Sequence, residues 1–156
     1  MRQNHDSEDI WFLNSWVTVR RAHAEGPDGV SILEHRAPFG DTPPTHMHHD
    51  EDEVFHLLEG EVEFELGGRR RRIGPGETVV APRTVAHCFR VLSPEGARFL
   101  TLVVGGQFES FVREIGRPAT ARSLPSPSVP SPDAIDTLAR IAAANRIAIL
   151  GPPMAA

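Results

Sequence analysis

The sequence has no lysine and no tyrosine; all 16 of its Lys+Arg positions are arginine. Without lysine there is no Schiff-base chemistry and no phosphate-loop lysine. Without tyrosine there is no phenolic acid or base. The single cysteine, Cys88, cannot form a disulfide within the chain, and it excludes a multi-cysteine zinc or iron–sulfur site. This scarcity fits a cytoplasmic setting. Residues 1–12 are polar and acidic and hold no apolar signal core. The longest apolar stretches, such as residues 99–104, are far too short to span a bilayer. Positive charge is also in deficit. The 16 basic residues against 21 acidic ones leave a net charge of −5, which argues against a nucleic-acid partner.

What is present is globular. A chain of 156 residues that is 40% hydrophobic suits one domain and can bury a core without disulfides. Residues 10–24 read as one or two opening strands, and Gly26-Pro27-Asp28-Gly29 is a turn signal. Residues 30–37 read as a strand and 38–44 as a loop, while 45–58 are strand-like but broken by Asp50-Glu51-Asp52. The clearest alternation sets Val62, Phe64 and Leu66 against Glu61, Glu63 and Glu65. Gly67-Gly68 then predicts a hairpin turn with return strand 69–73, pairing Glu65 with Arg70 and Glu63 with Arg72. Strands follow at about 77–81, 86–92 and 97–104. Residues 107–115 suit a short helix or an irregular turn. Five of the fifteen residues from 118 to 132 are proline, so that segment is extended. Ser131 as N-cap, Pro132 in the first turn and Asp133 at the dipole's positive end predict a helix to about Asn145, ended by Gly151-Pro152-Pro153. Ile135, Leu138, Ile141 and Ala142 share one face of it.

Four of the eight histidines lie between positions 46 and 56. His46 and His48 are two apart, so a strand presents both on one face as a natural metal pair. Glu53 lies at an odd offset from His48, and a bulge in residues 49–52 is expected to return it to that face. His87 lies on a later strand able to cross the first pair. If His87 points inward, so do Phe89 and Val91, and Cys88 and Arg90 point outward. The spacing Gly40, His46, His48, Glu53, Gly60 matches the first cupin motif at each fixed position. Gly76, Pro82 and His87 keep the spacing of the second motif, with Thr84 and Val91 in place of its usual Gly and Asn. Over residues 30–105 the sequence thus resembles the cupin superfamily.

That resemblance implies an all-β fold: a double-stranded β-helix, or jelly-roll barrel, with a short C-terminal helical segment. Residues 1–29 supply N-terminal strands and the edge of the barrel, and 30–105 its core. A turn or helix at 106–117, the Pro-rich segment 118–132 and a C-terminal helix and tail at 133–156 complete the chain. It also implies that His46, His48, Glu53 and His87 hold one divalent transition metal: Fe, Mn, Ni, Co or Zn. Glu53 is the candidate catalytic base. The runs HMHHDEDEVFHLLEGEVEFEL, GGQFESFVREIGRPA and RIAILGPP are similar to bacterial quercetinase-like cupins. They imply a dioxygenase-like oxidoreductase, with O₂ and a small aromatic or enolisable hydroxy-carbonyl substrate. The alternatives are a small-molecule-binding cupin without catalysis and a non-redox isomerase or decarboxylase.

The remaining features have simpler expectations. Asp50-Glu51-Asp52 is expected to be a solvated bend, with a second cation site as the alternative. His49 and His56 should face away from the metal, and His5, His23 and His35 should be surface or interface residues. Phe39, Phe55, Phe64, Phe89 and Phe99 suit core packing, and those near the metal would also line a substrate pocket. The C-terminal helix would cap the barrel mouth or meet a partner in a homodimer.

Overall fold

Period-two alternation gives short strands throughout the first two thirds of the computed structural model, which describes residues 8–155. His5 lies outside the described residues. In chain order the strands are β1 (Glu8–Phe12), β2 (Ser15–Arg21), β3 (Val30–Ala37), β4 (Pro44–His48), β5 (Glu53–Glu59), β6 (Val62–Leu66), β7 (Arg69–Ile73), β8 (Thr78–Ala81), β9 (His87–Val91) and β10 (Ala97–Val104). Helix α1 (Gln107–Ile115), the two-residue β11 (Arg117–Pro118), helix α2 (Pro132–Ala144) and β12 (Ile147–Pro153) follow. The strands form a seven-stranded sheet in the order β11-β1-β2-β3-β10-β5-β8 and a five-stranded sheet in the order β12-β4-β9-β6-β7. Neighbours pair antiparallel in both sheets, as in a jelly roll. Among the described residues no helix is long and apolar enough to cross a membrane.

The β6–β7 hairpin forms in the register read from the sequence, with Glu65 opposite Arg70 and Glu63 opposite Arg72. Both pairs close, at 2.9 and 3.1 Å. Gly67 and Gly68 take φ of 56° and 78°, the left-handed pair a tight hairpin requires. On its opposite side β6 pairs with β9, so Phe64 faces Phe89 and Leu66 faces His87. Apolar alternation thereby sets the strand that carries one of the candidate ligands.

Two clusters fill the interior. One gathers Phe12, Val17, Leu33, Val103, Phe108, Phe111 and Val112 beneath α1 and α2. The other gathers Phe55, Leu57, Val62, Phe64, Ile73, Val91 and Phe99. On the outer face of the larger sheet, Glu34 is buried under Arg20, Arg36 and Arg98, at 2.7, 2.7 and 3.3 Å. Burial opposes charge on Glu34, yet Arg20 and Arg36 hold its carboxyl below the usual range.

The C-terminal region departs from the reading of its sequence. Ser131 does cap α2 by accepting the Ala134 N–H at 3.2 Å. The helix stops at Ala144, well before Gly151-Pro152-Pro153. Arg146 takes φ 61° and turns the chain back, and residues 147–153 form β12 along β4. Prolines fit there because β12 is an edge strand with register shifts at Gly151 and Pro153. Ile135 is 51% exposed, so the buried face of α2 runs through Leu138, Ile141 and Ala142 without it. Residues 107–115 form a helix and not an irregular turn.

Candidate metal centre

Strand β4 presents His46 and His48 two residues apart on one face. Antiparallel pairing with β9 sets His87 directly opposite His46. Glu53 arrives by a different route from the expected bulge. Residues 49–52 carry the chain from the five-stranded sheet to the seven-stranded one, and Glu53 opens β5 there. The odd offset therefore costs nothing, because the carboxylate faces the histidines across the barrel.

The four side chains converge. One donor atom from each lies within 4.8 Å of every other. Glu53 Oε2 is 3.1 Å from His48 Nε2 and 3.2 Å from His87 Nε2. His46 Nδ1 lies 2.7 Å from the Pro44 carbonyl and His87 Nδ1 lies 3.0 Å from the Val85 carbonyl. Those contacts suit an N–H at Nδ1 and turn each Nε2 inward as a free ligand atom. His48, Glu53 and His87 are buried, while His46 is half-buried.

Electrostatics favour a cation between these groups. Burial pushes the His46 imidazole down to about 3, and the neighbouring His87 adds to that. Burial also opposes charge on His48, but Glu53 and Glu51 outweigh it and lift that imidazole to about 9. Glu53 is driven the opposite way from its burial by His48 and His87, and stays ionised well below the usual carboxylate range. Both ring nitrogens of His48 are buried without a hydrogen bond. A divalent ion ligated by Nε2 would satisfy the first and balance the buried carboxylate. Three imidazoles and one carboxylate suit a first-row transition metal.

The surroundings are aromatic. The His87 ring meets Phe55 edge-on at 6.1 Å, and Phe55 in turn packs on Phe64, Phe89 and Phe99. Phe39 stands apart, 62% exposed, on a groove of about 500 Å³ shared with Leu124, Pro125 and Pro127. His49 and His56 lie outside the cluster, and His56 Nδ1 is 2.9 Å from the Thr78 hydroxyl. Cys88 also lies outside it. Its side is the one opposite His87, yet it is covered, with the Thr45 hydroxyl 3.6 Å from its sulfur.

Two expectations fail here. His35 is no surface residue: it is 5% exposed, stacked on Phe99 at 5.0 Å, and its Nε2 lies 3.0 Å from the Thr101 hydroxyl. Burial holds its imidazole down at about 4, so it is neutral. It sits on an inward-facing position of β3, where strand parity was the available signal. Nor is Asp50-Glu51-Asp52 wholly solvated. Asp50 pairs with Arg146 and Asp52 with Arg83, but Glu51 is buried and accepts the Gln107 and Phe108 amides that begin α1.

A two-sheet barrel encloses three histidines and a glutamate whose donor atoms could hold a metal ion. Residues 33–104 match the Cupin domain family, and the two-sheet jelly roll here has the cupin fold. The chain is 28% identical over 94 residues to quercetin 2,3-dioxygenase of Bacillus subtilis (strain 168). That match takes in 60% of this chain but 28% of the relative's length. Among solved structures, a predicted oxalate decarboxylase from Thermotoga maritima superposes with TM-score 0.60 at 15% identity, over 67% of this chain and 97% of that one. KdgF from Halomonas sp. does so with TM-score 0.54 at 24% identity, over 66% and 88%. These likenesses establish the fold.

Proposed function

We propose that this protein is a mononuclear metal-dependent oxidoreductase of the dioxygenase type, acting on a small aromatic or enolisable hydroxy-carbonyl substrate. The observation that carries this reading is the His46, His48, Glu53 and His87 donor set, set against the phenylalanine cluster. The 28% identity to a quercetin 2,3-dioxygenase supports the reaction class. A bound redox-active metal would supply Lewis acidity toward adjacent substrate oxygens and a centre for O₂ chemistry. His46, His48 and His87 would hold it through Nε2, the metal displacing the proton that His48 carries without it. Glu53, ionised at neutral pH, would ligate the metal and take the proton of a substrate hydroxyl. Phe55, Phe64, Phe89 and Phe99 keep the interior dry, which strengthens each of these interactions.

The test begins with elemental analysis of protein purified without added metal or a polyhistidine tag, beside His48→Ala. About one Fe, Mn, Co or Ni per chain, lost in the variant, is expected. O₂ uptake is then measured with catechol- and flavonol-like compounds. Glu53→Gln is expected to lower turnover more than substrate binding. Zinc as the native metal, or bound substrate without O₂ consumption, would overturn the dioxygenase reading in favour of non-redox chemistry or simple binding.

A further inference from the structure

We infer that Glu51 is a positioning residue: its carboxylate orients the ligand His48 and, by holding the first amides of α1, ties metal occupancy to the docking of that helix. The inference rests on the metal-site reading above.

The geometry is that of one buried anion shared by two partners. Glu51 is 2% exposed. Its Oε1 accepts the Gln107 N–H at 2.8 Å and its Oε2 the Phe108 N–H at 2.9 Å. Helix α1 has no cap of its own, since Gly106 occupies the N-cap position and offers no side chain. Glu51, on the connection between β4 and β5, supplies that cap, and the positive end of the helix dipole favours its carboxylate. Gly105 makes room: a Cβ there would lie 2.8 Å from Glu51 Oε1. Among the described residues no arginine lies within ion-pair distance of Glu51. The charged partner it does have is His48, whose Nδ1 is 3.7 Å from Oε2.

His48 needs such a partner. His46 and His87 are each oriented by a nearby backbone carbonyl. The Nδ1 of His48 is buried and makes no hydrogen bond. When Nε2 ligates a cation, Nδ1–H becomes a stronger donor, and the carboxylate behind it is Glu51. Phe108 adds a second contact, edge-on to the His48 ring at 5.6 Å. Whatever shifts α1 therefore shifts Glu51 and Phe108 together, and linkage requires the reverse: a metal on His48 must steady α1.

The test uses Co²⁺ and the full chain freed of metal. In the wild type, Co²⁺ is expected to slow hydrogen exchange at the Gln107 and Phe108 amides more than in the β6–β7 hairpin. Glu51→Gln satisfies one of the two amides at best. It is expected to bind Co²⁺ about 10–100-fold more weakly, to shift the visible spectrum of bound Co²⁺, and to lose the α1 response. The spectrum reports ligand orientation, which loss of a helix cap alone would not change. A folded Glu51→Gln with wild-type affinity and spectrum overturns the proposal. So does a wild type whose α1 exchange ignores Co²⁺, a measurement that stands even if the variant fails to fold. A wild type that takes up no Co²⁺ removes the metal reading along with it. Binding that is lost in His48→Ala and kept in Glu51→Gln removes this inference alone.

Discussion

Thr84 takes φ 66°, a left-handed conformation that crowds a β-branched side chain against its own backbone. Its amide meanwhile donates to the His48 carbonyl at 2.7 Å, so the strained turn also secures the ligand strand. An L-residue there costs about 1–2 kcal/mol, and glycine returns part of the gain through its greater freedom when unfolded. Thr84→Gly is therefore expected to stabilise the fold by roughly 0.5–1 kcal/mol, a rise of about 2–4 °C in Tm per kcal/mol. Calorimetry on metal-free protein checks this; a lower Tm would show that Thr84 makes contacts worth more than its strain. At this scale the convergence of His46, His48, Glu53 and His87 was legible because offsets along a strand and fixed glycines are local facts. His35 and Glu51 were not. A polar side chain is buried only when distant groups satisfy it, and here these are Thr101, Gln107 and Phe108.

Elements show the same division. The β6–β7 hairpin was legible down to its pairs, since alternation, a Gly-Gly turn and opposite charges all point to one register. Strand β12 was hidden because Gly151, Pro152 and Pro153 read as a stop, and an edge position is what makes them tolerable. Its anchor is Ile147, 2% exposed and paired with His48. Ile147→Ala is expected to cost about 2–4 kcal/mol, read as a lower urea midpoint with unchanged slope. The Glu34 cluster, which joins β2, β3 and β10, sets an acid limit. Its folded-state pKa is depressed, so its contribution is fully present above the unfolded carboxyl pKa of about 4.3 and is lost as pH falls through the lower folded value. Glu34→Gln is expected to flatten stability against pH below about 4; an unaltered acid limb would exclude that role.

Over the whole molecule the two core clusters meet at the ligands. His48 touches Phe108 of one, His87 touches Phe55 of the other, and His35 stacks on both Phe99 and Phe108. A metal there would brace both halves at once. Added divalent metal should stabilise the wild type by about 2.7 kcal/mol at a hundredfold excess over Kd and leave His48→Ala unchanged, as read by thermal denaturation across a metal titration. A barrel whose neighbours in space are so far apart in sequence also folds slowly. The pairing of β12 with β4 gives this a direction. On a ribosome the strand bearing His46 and His48 emerges early, and the strand that flanks it is made only after the rest of the barrel and both helices. Throughout that interval one margin of the strand that carries His46 and His48 stands open to any other nascent chain with an unpaired edge, so synthesis speed and chaperone access bear directly on the yield of folded protein.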